Sequence, residues 1–261
     1  MSGRGGVWTH ALAGHGVERV TGSVLAGAVR LGEEVGRVLC VVPDPASPYL
    51  RARRGEVGVR EALALAGAVR EAMDEGLPIV AVVDIPSQAY GRLEETLGLH
   101  LVLGAAVDAY AAARRAGVPV VSLVVGAAIS GGFLAHGLMA GHIVALDAPG
   151  VEVQAMNRST SARITRRSVE ELESLGSELA PLSYDVVRWA GLGQCDQLLT
   201  VADADDPSPD DVELVRNALV AGVARARRGP HALSARLDAP TAARARAASL
   251  RARAAVREQW G

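Results

Sequence analysis

Residues 120–137 read VVSLVVGAAISGGFLAHG, and this stretch sets the fold class. A run of aliphatic and β-branched residues gives way to a glycine pair and then to a helical pattern. The segment therefore predicts a buried strand, a tight turn and a helix. Glycine inside an element costs about 0.5–1 kcal/mol relative to alanine. Two in succession, Gly131 and Gly132, imply that the backbone itself comes close to something. A helix start offers unpaired N–H groups with partial positive charge, and without Cβ atoms in the way a ligand oxygen can reach them.

Further apolar runs flank this unit: VLCVV (38–42), IVAVVD (79–84), IVALD (143–147) and VEVQAM (151–156). Each reads as a buried strand. Between them, residues 58–76 and 94–117 read as helices, each ending at a glycine followed shortly by Pro78 or Pro119. Strands alternating with helices predict an α/β fold with a mainly parallel sheet flanked by helices. Beyond residue 168 the strand signal fades. Ser168 with Glu171 forms a capping-box pattern, and residues 182–193 and 210–229 read as amphipathic helices. We read residues 1–230 as a single domain and residues 231–261 as an Ala/Arg-rich tail, helical or frayed, without chemistry of its own.

Composition removes several function classes. Net charge is −2, so no global basic field recruits nucleic acid, and the absence of lysine removes Schiff-base chemistry from this chain. The apolar stretch at 118–129 is shorter than the about 20 residues that span a bilayer. With no apolar leader at its start, the sequence reads as soluble and cytoplasmic. Cys40 and Cys195 read as buried free thiols, and His136 and His142 lack zinc-type spacing, so no metal site is expected.

The glycine turn lacks the spacing of a P-loop or a Rossmann fingerprint. What remains is close helix–strand packing, or an oxyanion hole in which N–H groups hold the oxygen of an enolate or tetrahedral intermediate. A second unusual turn favours the latter. The strand at 79–84 runs through DIPSQAYG (84–91) into a helix opening with Glu94 and Glu95, placing Ser87, Gln88, Tyr90 and Gly91 at the same sheet edge. Asp84 reads as a residue fixing that loop. Ser130 lies one change from a nucleophile elbow, but His136, six residues on, is turned by about 600° along a helix. Ser130 thus reads as a helix cap shaping the turn, and His136 as a packed histidine that is also the nearest group suited to proton delivery. Arg158 and Arg163 lie in a basic turn suited to phosphates or an acidic carrier, and Arg51, Arg53 and Arg54 form another, with Glu56 available to pair.

The segment at 119–156 resembles the crotonase superfamily, and VVDIPSQAYGRLEETLG resembles the matching segment of biotin-dependent carboxyltransferases. More closely, PYLRARRGEVGV (48–59), VDIPSQAYGRLEETLGLH (83–100), SGGFLAHG (130–137) and SARITRRSVEEL (161–172) resemble the gamma subunits of biotin-independent malonate decarboxylases, over about residues 38–222. The resemblance implies a crotonase-like fold and a carbon–carbon lyase working with a beta subunit at a shared interface. The substrate would be a malonyl thioester on the phosphoribosyl-dephospho-CoA arm of an acyl carrier protein, with an alpha acyl-transferase subunit as a further partner. No cofactor bound by this chain itself is expected. In that reading Gly131 and Gly132 supply oxyanion donors, Ser130 shapes their turn, and Ser87, Gln88, Tyr90 and Gly91 form the neighbouring edge. The chain departs from the family at Ala127 and Met139, where lysine and glutamine are usual. Hydratase chemistry is disfavoured, because the acidic positions of crotonase-type hydratases fall on Leu134 and within VQAMN. The related Clp proteases place their nucleophile at the position of Ile129. A biotin-dependent carboxyltransferase subunit and a non-catalytic scaffold for the beta chain stand as alternatives.

Overall fold

The apolar runs become strands because both of their faces are covered. In the computed structural model, which describes residues 3–261, eight strands form one sheet. They are β1 Val17–Thr21, β2 Val24–Leu31, β3 Glu34–Val41, β4 Ile79–Ile85, β5 Val120–Ile129, β6 His142–Leu146, β7 Glu152–Gln154 and β8 Gln197–Leu199. The order is β1-β2-β3-β4-β5-β6-β8, with β7 paired to the end of β5 through Ala127, Ala128 and Ile129. Every pairing from β3 onward is parallel, whereas β1, β2 and β3 form an antiparallel meander. All five strands expected from the sequence are present.

The helices are α1 Arg4–Ala13, α2 Val59–Asp74, α3 Arg92–Thr96, α4 Leu99–Arg115, α5 Ser130–His136, α6 Arg158–Thr165, α7 Val169–Glu178, α8 Val186–Trp189, α9 Pro209–Arg228, α10 Pro240–Ala245 and α11 Ala247–Trp260. Left-handed glycines, Gly76 and Gly117, end the turns after α2 and α4. The capping box at Ser168 forms as expected, with reciprocal bonds to Glu171. Trp8 of α1 is fully buried and donates its indole N–H to the Ala204 carbonyl at 2.9 Å, tying the N-terminal helix to the loop before α9.

Several elements differ from expectation. The strand β1 carries an exposed, charged pattern typical of an edge, and β2 spends alanine and glycine where β-branched residues are usual, so neither read as a strand. The three-residue β8 lies beyond residue 168, where no strand was expected; β6 pairing creates it. The helix expected at 94–117 is broken at Gly98, whose φ of 77° is left-handed. Residues 182–193 form only the short α8 and a wide turn through Gly193. The segment after residue 231 is helical. Arg236 donates to the Leu138 carbonyl at 2.8 Å and Ala242 is buried, so the chain is held to the body there, whereas all of residues 251–261 are exposed. No described helix is long and apolar enough to cross a membrane.

The β4–β5 register positions the site. Pairing slips between Val83 and Ile85, and the Asp84 carboxylate at that slip accepts from the Gly5 amide at 3.1 Å and the Ala127 amide at 3.2 Å. Burial raises its pKa against the lowering effect of these bonds. Asp84 fixes the strand ends, as expected. Replacing Asp84 by asparagine puts an NH2 donor against one of two amide donors and should destabilise the fold by about 1–3 kcal/mol, measured as a lower urea midpoint.

Candidate active site

The turn between β5 and α5 is strained at one residue. Ser130 has φ of 69°, and with Arg166 it is one of two described non-glycine residues at positive φ. Ile129 occupies the cap position with extended backbone and makes no side-chain cap. The cap role expected of Ser130 is therefore corrected. Its hydroxyl donates instead to Oε1 of Gln88 at 2.6 Å. The Gly131 amide donates to the same oxygen at 2.5 Å. Two donors from one turn thus converge on one carbonyl oxygen.

The two glycines have different reasons. A Cβ on Gly132 would lie 2.8 Å from Ile85 Cγ2 and 2.9 Å from the Ser87 carbonyl oxygen, so this glycine allows close packing of α5 on β4. Gly131 instead borders a cavity of about 350 Å³. Its walls include Phe133, Leu134, Leu138, Val153, Trp189 and Leu192, and among the described residues no acidic, basic or histidine side chain lines it. Two of its lining residues, Phe133 and Trp189, meet edge to face with ring centroids 5.9 Å apart.

The loop after β4 is stitched to residue 57: the Val57 amide donates to the Ser87 carbonyl at 3.1 Å, and the Ala89 amide to the Val57 carbonyl at 2.8 Å. Ser87 is buried with its backbone carbonyl against Gly132, and the Gln88 side chain hydrogen-bonds to Ser130 and Gly131. Tyr90 lies under the Arg51 guanidinium at 5.2 Å, and Gly91 begins α3; neither borders the cavity. Glu56 pairs with both Arg51, at 3.4 Å, and Arg54, and burial still raises its pKa.

His136 is a correction. Its ring is fully buried, with Nδ1 2.8 Å from the Tyr110 hydroxyl and Nε2 3.1 Å from the Val82 carbonyl oxygen. A carbonyl only accepts, so Nε2 carries the proton and Nδ1 accepts from Tyr110. Burial pushes its pKa down to about 4, and the ring does not reach the cavity. It is a neutral core histidine and is not placed to deliver a proton or to activate Ser130, which leaves a hydrolase without its base.

Arg158 lies on the wall of a neighbouring cleft of about 590 Å³. Its guanidinium bonds Glu152 and, at 3.1 Å, Glu173, and it stacks 4.3 Å from the Tyr184 ring centroid. Its charge is already matched, contrary to a free phosphate clamp. Arg163 is exposed on α6 and borders neither cleft. Burial raises the pKa of both Cys40 and Cys195 to about 12, although Cys195 is only half-buried. The far wall of the cavity at Pro181, Trp189 and Gln194 was not foreseen from the sequence, whereas Gln154 lies in the VQAMN stretch that the resemblance placed there. The one local signal for that far wall was the glycine-containing run after Trp189.

The mostly parallel, helix-flanked sheet is a fold shared with crotonase-like carboxyltransferases. The transcarboxylase 12S subunit superposes with a TM-score of 0.60 at 18% identity, over 80% of this chain and 36% of that one. The beta subunit of P. aeruginosa geranyl-CoA carboxylase gives 0.58 at 18% identity, over 82% and 39%. The chain belongs to the malonate decarboxylase gamma subunit family, whose model matches residues 52–260. The matching chain of a Pseudomonas malonate decarboxylase hetero-tetramer in complex with coenzyme A is 45% identical over the full length of both, with a TM-score of 0.91. That of a Pseudomonas MdcD-MdcE hetero-dimer is 43% identical over 99% of this chain and 100% of that one, with a TM-score of 0.88. The malonyl-S-ACP:biotin-protein carboxyltransferase MADD of Malonomonas rubra is 36% identical over 130 residues, 46% of this chain. The match spans 44% of the length of that relative.

Proposed function

We propose that this chain is the working gamma subunit of a cytoplasmic malonate decarboxylase. With a beta subunit it converts a malonyl thioester, carried on the CoA-like arm of an acyl carrier protein, to the acetyl thioester and CO2. An alpha acyl-transferase subunit would complete the assembly. The reaction breaks the bond between the carboxylate carbon and the α-carbon. Its electron pair becomes the enolate double bond, the carbonyl pair moves onto oxygen, CO2 leaves, and the α-carbon then takes a proton.

One observation supports this reading: a mostly apolar cavity, with no charged side chain among its described walls, is bordered by Ser130 and Gly131, whose hydroxyl and amide both donate to Gln88 Oε1. The carboxylate must lose its charge while the thioester oxygen gains it. An apolar wall disfavours the ionised carboxylate, and the Ser130 hydroxyl and Gly131 amide favour the enolate oxygen, so both act on the difference between ground and transition states. Among the described residues no titratable side chain borders the cavity, so in this reading the proton would come from the facing subunit or from water.

The test is reconstitution with the beta subunit and malonyl-loaded carrier, measuring CO2 release. Omitting this chain should lower the rate by at least about 10²-fold, the scale of losing an oxyanion donor. An unchanged rate would overturn the assignment and leave a scaffold. The name of the Malonomonas relative favours one alternative, carboxyl transfer to a biotin protein. Inhibition of CO2 release by avidin would select it.

A further inference from the structure

We infer that Gln88 is an internal occupant of the acyl-oxygen site, holding its two donors until the substrate thioester oxygen displaces it. The inference rests on the decarboxylase reading above and adds a residue that sets substrate affinity. Oε1 of Gln88 is an sp² carbonyl oxygen, the same kind of acceptor as a thioester carbonyl. It sits 2.6 Å from the Ser130 hydroxyl and 2.5 Å from the Gly131 amide, the two donors that the decarboxylase reading assigns to that carbonyl.

The surroundings let the side chain leave and keep the backbone still. The residues on either side of Gln88 are bonded to Val57, which anchors the loop, while the Gln88 side chain itself is half-buried. A Cβ on Gly131 would lie 2.8 Å from Oε1, so this seat exists only because residue 131 is glycine. Ser130 is held at positive φ in the turn that carries both donors.

Charge then separates the two occupants. A neutral amide oxygen competes with the neutral thioester carbonyl of the ground state. It competes poorly with an enolate oxygen, because hydrogen bonds to an ionised acceptor are roughly twice as strong. Gln88 therefore satisfies both donors while the site is empty and raises KM, because apparent affinity falls with the fraction of molecules in the open state. It acts on affinity by vacating the site and takes no part in bond breaking.

The experiment uses the beta–gamma complex with malonyl-CoA as the soluble thioester, comparing Gln88→Ala, Gln88→Leu and Gln88→Glu. The alanine and leucine variants lack the acceptor and should lower KM by about threefold or more, with the change falling on KM more than on kcat. The glutamate carboxylate binds the same donors more tightly and should raise KM by about tenfold. A rise in KM for alanine and leucine, or an equal loss of kcat in all three variants, would overturn the inference, since Gln88 would then only shape the turn. Amide exchange of Gly131 in the full-length chain alone is a second measurement, independent of turnover. It should quicken by about tenfold in Gln88→Leu, and unchanged exchange would overturn the inference. A complex that releases no CO2 while exchange responds would instead count against the decarboxylase reading.

Discussion

Replacing Gly131 with valine is expected to lower decarboxylation by the reconstituted complex by about 10²–10³-fold, the scale of a lost oxyanion donor. The new side chain would enter the space that Gln88 Oε1 occupies, at 2.8 Å from Cβ, and crowd any substrate oxygen from the Gly131 amide. The other near neighbour is Leu103 Cδ1 at 3.6 Å, an ordinary contact, so the cost falls on the flexible end of Gln88 and the fold survives. Gly132→Val is the contrasting variant. Its Cβ would meet the Ser87 backbone carbonyl at 2.9 Å and Ile85 Cγ2 at 2.8 Å, neither of which can swing away. Overpacking of this kind costs about 1–3 kcal/mol or more. Gly131→Val should therefore elute with the beta subunit at wild-type size and be nearly inactive, while Gly132→Val should show a lowered melting temperature. Wild-type turnover in an assembled Gly131→Val complex would remove the Gly131 amide from the mechanism.

Acidification should destabilise the chain through His136. An unfolded histidine titrates near pH 6.5, whereas the folded ring does so at about 4. Between those values the unfolded state binds one more proton, so stability is complete above about pH 6.5 and falls as pH drops toward 4. A gap of this size is about 3 kcal/mol, the cost of charging a fully buried ring. His142, whose pKa burial also lowers, adds to the loss in the same direction. Urea unfolding at pH 7 and pH 5 spans about 2 kcal/mol of that gap, and His136→Gln isolates its share. That variant is expected to be weaker at pH 7, where Tyr110 loses its partner, but to lose less than wild type on going to pH 5. An equal acid loss in both proteins would contradict the neutral buried ring.

The strands at 38–42, 79–84, 120–125, 143–147 and 151–156 were legible because burial on both faces leaves a continuous apolar run in the chain. The helix ends at Gly76 and Gly117 were legible for an equally local reason, since left-handed backbone favours glycine. The antiparallel strands β1 and β2 were not, because their alanine, glycine and charged residues become a strand only by pairing across a hairpin. The same limit applied to His136. A histidine on a short helix looks equally ready to titrate or to pack, until Tyr110 and Val82 arrive from 26 and 54 residues away.

Residues 120–137 by themselves already specified a buried strand, a helix and between them a turn able to present main-chain donors, because strand period, glycine placement and helix start are properties of neighbouring residues. That Gly132 packs while Gly131 faces a cavity, that Gln88 rather than a cap holds Ser130, and that Arg158 is spoken for by Glu152 and Glu173 were settled by folding. Those outcomes depend on which distant segments β4, β5 and β7 bring to one sheet edge, and pairing between strands leaves no mark on the local order of residues.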